Sequence, residues 1–255
     1  MSILLATRRL FTDWFVAAWH ILRFAPWLLL PILLTEGAQH VVEIQLGMFA
    51  SRADFVALQN DATRWAFGYA KVAGLLISIL LVARAVALGS AARAIRPRWR
   101  PMVMLVAILA LTFALDFAFK SEAARAIAPD ALLQGVNILL QTLLTIPLLA
   151  ALFEDAWASV RATGWRLIPA LLLSVLLAAL AYLPMQLLHG ANHDWALGAP
   201  MPAVWALMLF DTIWVALLAL MVGSAMAIGW RRFVGSADIS DQAAIPTRSS
   251  PAVSR

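Results

Sequence analysis

The stretch Arg23-Phe24-Ala25-Pro26-Trp27-Leu28-Leu29-Leu30-Pro31-Ile32-Leu33-Leu34 sets the reading of this chain. A basic residue stands three places before a proline, and an apolar run follows at once. Proline suits the first turn of a helix, where its missing N–H would lack an intrahelical partner anyway, and arginine anchors the water side of a bilayer boundary. The same Arg-x-x-Pro step opens apolar runs at Arg98 to Pro101 and at Arg166 to Pro169. Arg166-Leu167-Ile168-Pro169-Ala170-Leu171-Leu172-Leu173-Ser174-Val175-Leu176-Leu177 aligns with the first stretch without a gap. Three such starts on one face of a membrane predict three parallel hairpins.

Composition supports the bilayer as solvent. Hydrophobic residues make up 63% of the chain and charged residues 13%, and mean hydropathy is +0.86; an ordinary soluble domain carries about 45–50% and about 25%. A span needs about 20 apolar residues, and six windows qualify, at 26–46, 66–89, 101–119, 131–153, 167–189 and 202–229. The expected fold is therefore an all-α integral membrane protein with six transmembrane helices in three hairpin repeats, at about 26–89, 101–153 and 167–229. The membrane domain covers residues 26–232, and the connection after the first span has room for one short surface helix at most.

Residues 1–25 read differently. Leu10, Phe11, Trp14, Phe15, Ala18, Trp19 and Leu22 recur at helical spacing opposite Arg9, Thr12, Asp13 and His20, the pattern of an amphipathic helix lying in the interface. Thr7-Arg8-Arg9 resembles a twin-arginine export signal, but Asp13, His20 and Arg23 follow it in place of a weakly apolar stretch and a small-residue cleavage site. Phe153, Trp157 and Val160 repeat the aromatic face before the fifth span. The segment 233–255, rich in Ser, Ala, Pro and Asp without periodicity, is expected to be a disordered cytoplasmic tail.

A net charge of +5 and a pI near 10.7 would suit nucleic acid, but the basic residues gather at helix ends instead of along one face. Of 19 basic residues, 14 fall on the side that holds both termini, which puts that side in the cytoplasm of a bacterial inner membrane. The chain has no cysteine, so disulfides and thiolate metal sites are excluded. Gly89-Ser90-Ala91 and Gly223-Ser224-Ala225 echo one another near hairpin ends. Ala70, Gly74 and Ser78 make a small-residue ridge suited to close helix packing.

Polar and ionisable residues inside spans are costly and usually face the bundle interior. Here they concentrate in the outer halves: Glu36, His40 and Glu43 in the first span, Asp116 and Lys120 in the third, Gln134, Asn137 and Gln141 in the fourth, His189, His193 and Asp194 at or beyond the end of the fifth, and Asp211 in the sixth. Glu36, His40 and Glu43 share one helical face, and so do His189 and His193 if the helix continues through Gly190. Asp211 has no partner within its own helix. Asp116 and Lys120, four apart, read as an intrahelical ion pair. The pattern predicts a periplasm-facing polar vestibule that binds or transports a small ion or polar solute, with Asp211, Glu36, His40, Gln134, Asn137, Gln141 and Asp116 as its ligands. His40, His189 and His193 with Glu36 and Glu43 are the donor set of zinc or another divalent first-row ion, although no His-Glu-x-x-His signature is present.

Two alternatives stand beside this reading. One is a metal-assisted membrane hydrolase or transferase with Glu36 or Glu43 as general base. The other is a structural or assembly subunit of an envelope complex, with the aromatic interfacial helix and the small-residue ridge as contact surfaces. The partners implied are the lipid bilayer, together with a second copy of the chain or another membrane subunit.

Overall fold

A computed structural model of the protein describes residues 3–234. Among the described residues every regular element is helical. The chain runs α1 (Ile3–Phe24), a 3-10 turn (Pro26–Leu29), α2 (Leu30–Gln45), α3 (Arg52–Leu58), α4 (Ala62–Leu88), α5 (Ala91–Ile95), α6 (Trp99–Lys120), α7 (Glu122–Ile127), α8 (Asp130–Leu152), α9 (Trp157–Ala162), α10 (Leu167–Ala196) and α11 (Met201–Arg231). Five helices, α4, α6, α8, α10 and α11, are each long and apolar enough to cross a membrane. The segments Leu5–Phe24 and Pro26–Gln45 meet at a 97° bend and bring the total to six if they count as one broken span.

All three Arg-x-x-Pro steps lie at helix starts. Pro26 begins the 3-10 turn that leads into α2, Arg98 is the residue before α6, and Arg166 the residue before α10. At the first of these the break at Ala25 lets α1 leave at nearly a right angle. The aromatic face of α1 is thereby divided: Trp14, Ala18 and Ile21 are buried against the bundle, while Phe15 and Trp19 stay exposed. Trp14 is tied down at its polar tip as well, since its Nε1 donates to the Met221 carbonyl at 2.9 Å.

The middle of the bundle is α11. More than half of its most apolar stretch is buried (56%), against 33% or less in the other four spans. It packs along α10, α4, α2 and α1. By contrast α6 and α8 pack mainly on each other, and large side chains such as Phe113, Phe117, Leu139 and Leu143 are exposed along them. Such exposure is ordinary for surfaces that face acyl chains.

Close helix approach rests on three glycines. A Cβ at Gly74 would collide with Thr35 Oγ1 and lie 2.8 Å from the Pro31 carbonyl oxygen; one at Gly223 would lie 2.7 Å from the Ile79 carbonyl oxygen, and one at Gly229 2.5 Å from the Ser174 Cα. Of the expected ridge, Gly74 and Ser78 are buried against α2, but Ala70 is exposed, one turn too far out to reach it. Ser78 Oγ accepts from the Ile32 backbone N–H at 3.2 Å, satisfying a donor in the first turn of α2 that has no acceptor within its helix.

The two Gly-Ser-Ala echoes do different work, so they give no support to equivalent repeats. Gly89, at φ +62°, closes α4 in a left-handed conformation and Ser90 then caps α5, whereas Gly223 and Ser224 lie buried inside α11. Phe233 and Val234 pack on the bundle, so the chain stays attached past residue 232. The rest of the expected tail, 235–255, lies outside the described residues, as does the side chain of Trp157.

Gly74→Ala is expected to lower stability by about 1–3 kcal/mol through overpacking. Gly135→Ala, where a Cβ meets nothing within 4 Å, should be neutral or stabilising by up to about 1 kcal/mol. Thermal unfolding of the detergent-purified variants, followed by size-exclusion fluorescence, makes the comparison.

Candidate functional site

Helix α2 carries Glu36, Gln39, His40 and Glu43, all buried, because residues three, four and seven apart stack on one face. Helix α10 runs unbroken through Pro184 and Gly190, so His189, Asn192 and His193 fall on one face of its last turns. Both helices bring these groups against Asp211 of α11, and α4 adds Arg64 and Lys71, seven apart, from the other side. Four helices thus converge on one polar knot.

Asp211, with no exposure, is its centre. Its Oδ2 lies 2.5 Å from His189 Nδ1, 3.2 Å from His40 Nε2 and 3.7 Å from His193 Nε2, and its Oδ1 accepts from Asn192 Nδ2 at 2.7 Å. His40 is ringed by three carboxylates, with Glu36 Oε1, Glu43 Oε2 and Asp211 Oδ2 each 3.2 Å from a ring nitrogen. Lys71 Nζ is 2.8 Å from Glu36 Oε1 and 3.2 Å from His189 Nε2. An ammonium can only donate, so His189 Nε2 accepts and its Nδ1 holds the proton directed at Asp211. Glu43 Oε1 accepts from Arg64 Nε at 3.0 Å and from Gln39 Nε2 at 2.8 Å.

Two features mark the knot as more than packing. Three buried carboxylates face only two permanent cations, Lys71 and Arg64. In addition, Glu36 Oε2 and His193 Nε2 are buried without a hydrogen-bond partner among the described residues, an expensive arrangement for a solely structural network. The ligand atoms of His40, His193 and Asp211 lie within 4.8 Å of one another, and so do those of Glu36, His189 and Asp211. Asp211 belongs to both triads.

The polar residues of the sequence reading therefore divide between two places. Glu36, His40, Glu43, His189, His193 and Asp211 meet in the knot, where Glu36, His40, Glu43 and Asp211 are buried and His189 and His193 are partly exposed. Asp116, Asn137 and Gln141 form a separate seam between α6 and α8: Asn137 Nδ2 donates to Asp116 Oδ1 at 3.3 Å, and Gln141 Nε2 donates to the Thr112 carbonyl at 2.9 Å. Gln134 is exposed at the same hairpin. Asp116 pairs with Lys120 one turn along at 2.7 Å. Asp194 stands apart from the knot, paired with Arg52 on the surface.

Four members of the knot were missed in the sequence: Arg64, Lys71, Gln39 and Asn192. The seven-residue spacing of Arg64 and Lys71 on a span was a usable signal, hidden because both count equally well as boundary charges.

A second buried network lies where α4, α8 and α11 end, also unforeseen. Arg84 donates to Glu154 Oε1 at 2.7 Å and to the carbonyls of Leu152 and Ala94, while Asp155 accepts from Trp230 Nε1 at 2.8 Å and Arg231 Nη1 at 2.6 Å. Glu154 holds a left-handed φ of 57° just past α8, a position that costs an L residue roughly 1 kcal/mol or more. Burial pushes its carboxyl up, but the hydrogen bonds from Arg84 and from the Arg98 backbone N–H, with both guanidinium charges, outweigh that and hold it below the ordinary range.

Comparison of the chain with protein-family models, curated proteins and solved structures finds no match.

Two outcomes are expected. Asp211→Ala strands His40, His189 and Asn192 at once and should destabilise the protein by about 3–5 kcal/mol, as breaking a buried charge network does, whereas Lys120→Ala should leave thermal stability unchanged. At the other end, a lowered Glu154 carboxyl contributes stability that is complete above its ordinary range near pH 4.5 and disappears as pH falls through the lowered value. The wild type should therefore lose more stability than Glu154→Gln between pH 5 and pH 3, read as the difference between their thermal midpoints.

Proposed function

We propose that this polytopic, membrane-type helical bundle binds a small cation at the histidine–carboxylate knot, with divalent first-row ions as the class, and serves to hold that ion or pass it across the bilayer. One observation carries the reading: three imidazoles and three carboxylates from α2, α10 and α11 converge, and two of their buried side-chain atoms, Glu36 Oε2 and His193 Nε2, have no hydrogen-bond partner among the described residues. Mixed His and Asp/Glu donors suit zinc, and also manganese, cobalt or nickel. Because Asp211 belongs to both triads, its carboxylate offers one oxygen to a single ion with up to five donors, or bridges two.

Lys71 gives the site a second property. It sits against Glu36 and His189, two of the candidate ligands, as a tethered cation. An arriving ion would take over these groups and release the ammonium, so uptake becomes an exchange of one cation for another instead of the burial of a new charge. That lowers the electrostatic cost of loading and makes release easier than from a site without an internal competitor. Burial of Glu36, His40, Glu43 and Asp211 favours holding or passing an ion over hydrolysis of a bulky substrate. The excess of basic residues at the opposite end supports a knot on the periplasmic side, with both termini cytoplasmic.

Elemental analysis of the purified protein by mass spectrometry tests the proposal. A near-stoichiometric divalent ion is expected in the wild type, reduced at least tenfold in the triple variant His40→Ala, His189→Ala, His193→Ala. His193→Ala alone, which leaves the Glu36, His189 and Asp211 triad, should weaken binding of added zinc without loss of folded protein. A protein that purifies without metal and is not stabilised by zinc, manganese, cobalt or nickel overturns the reading.

A further inference from the structure

At the end of the bundle away from the knot, a groove of about 1080 Å³ opens between the start of α6 and the end of α8. Pro101, Met104 and Pro147 give it apolar walls and Ala150 and Ala151 a smooth floor; Arg98, Trp99 and Arg100 stand at its mouth. The groove also includes Glu154 and Asp155, which would repel an anion if free. Both are already taken, Glu154 by Arg84 and Asp155 by Arg231 and Trp230. Three guanidinium groups thus touch two carboxylates, Arg100 adds a fourth to the groove, and the excess lies at the opening. Arg98 has a side chain 74% exposed and only a long 3.5 Å contact to Glu154. Arg100 makes no ion pair among the described residues; its guanidinium lies over the Trp99 ring, 5.4 Å from the centroid, and Trp99 itself is 70% exposed.

We propose that this groove is a binding site for an anionic phospholipid, its phosphodiester held by Arg100 and Arg98 beside the Trp99 indole and one acyl chain lying along Met104 and Pro147 between α6 and α8. The division of the groove selects the occupant. A free phosphate would use only the mouth; a zwitterionic phospholipid carries its own cation beside the phosphodiester, which the arginines repel; an anionic phospholipid fills the walls and holds the mouth without that opposition. Basic pockets between membrane helices hold acidic headgroups for this reason, and an aromatic residue at the same level marks the headgroup region. The outer faces of α6 and α8 are exposed along their length, so a chain entering from the bilayer meets no barrier. The lipid would also fill the gap beside a hairpin that packs mainly on itself, tying α6 and α8 to the Glu154 network.

The test uses the full-length protein in a neutral detergent, with native mass spectrometry and thermal unfolding in the presence of phosphatidylglycerol, phosphatidylcholine or glycerol 3-phosphate. A retained one-to-one phosphatidylglycerol adduct is expected, with a raised midpoint, and phosphatidylcholine should give neither. Arg100→Gln should weaken the adduct about fivefold, the effect of removing one charge near a lipid headgroup, while keeping the wild-type midpoint without lipid. Met104→Trp, which fills the groove and leaves the charges in place, should abolish the adduct. Equal binding of both lipids, or an unchanged phosphatidylglycerol preference in Arg100→Gln and Met104→Trp, overturns the proposal. Equal stabilisation by glycerol 3-phosphate overturns the lipid as its source.

Discussion

A carboxylate cut off from water has to find its counter-charges inside the protein, and Asp211 imposes that demand on four helices. It has no exposure and no partner on α11. The penalty for a lone buried charge amounts to several kcal/mol even after relaxation, so the ends of α2 and α10 are held where their imidazoles and Asn192 can reach it. The unbroken passage of α10 through Gly190 delivers His189 and Asn192 to this charge, and the approach of α2 to α4 at Gly74 brings Lys71 to Glu36 and Arg64 to Glu43 beside it.

The second charged network obeys the same constraint at the other end. Asp211 and Arg231 are 20 residues apart on α11, which at about 1.5 Å per residue is about 30 Å, the thickness of a bilayer's hydrocarbon core. Between them α11 presents Val215, Ala216, Leu218, Ala219, Leu220 and Ala225 to its neighbours, with no charge at all. The bundle is thus an apolar middle closed by two polar clasps, each joining helices that are distant in sequence. The clasps differ in kind. At the arginine end the acids are met by guanidinium groups and an indole N–H, whereas at the histidine end three imidazoles and three carboxylates from three helices gather around one aspartate. That difference in donor chemistry underlies the proposal of ion binding at one end and fastening at the other.

Much of this organisation is legible in the sequence because the bilayer writes it strongly: long apolar windows, proline at helix starts and polar groups confined to few positions. The six histidines and acids of the knot could be gathered from helical spacing and from their shared depth. What could not be read were contacts between helices. Arg64 and Lys71 looked like boundary charges, since nothing in one sequence says which side of α4 faces α2. Arg84 and Glu154 did not stand out for the same reason. Asp116, Asn137 and Gln141 lay at a suitable depth yet belong to α6 and α8, which pack on each other; depth along the membrane normal is legible, position within its plane is not. The Gly-Ser-Ala echo failed for a related cause, because a tripeptide can end one helix or cushion the middle of another.

The joining of the first span to the last also sets the order of events during synthesis. Helix α2 carries Glu36, His40 and Glu43 in 16 residues, a sequence that would enter a bilayer poorly alone. Its neighbours on α4 arrive soon after, but Asp211 lies 171 residues beyond His40, roughly 10–30 s later at ordinary rates of chain elongation. For that interval the nascent protein holds three acidic and basic groups at the membrane edge with only Arg64 and Lys71 for company. The first hairpin therefore carries its own Lys71–Glu36 and Arg64–Glu43 pairs from the start, and the imidazole of His40 gains its third carboxylate only when the final helix is delivered.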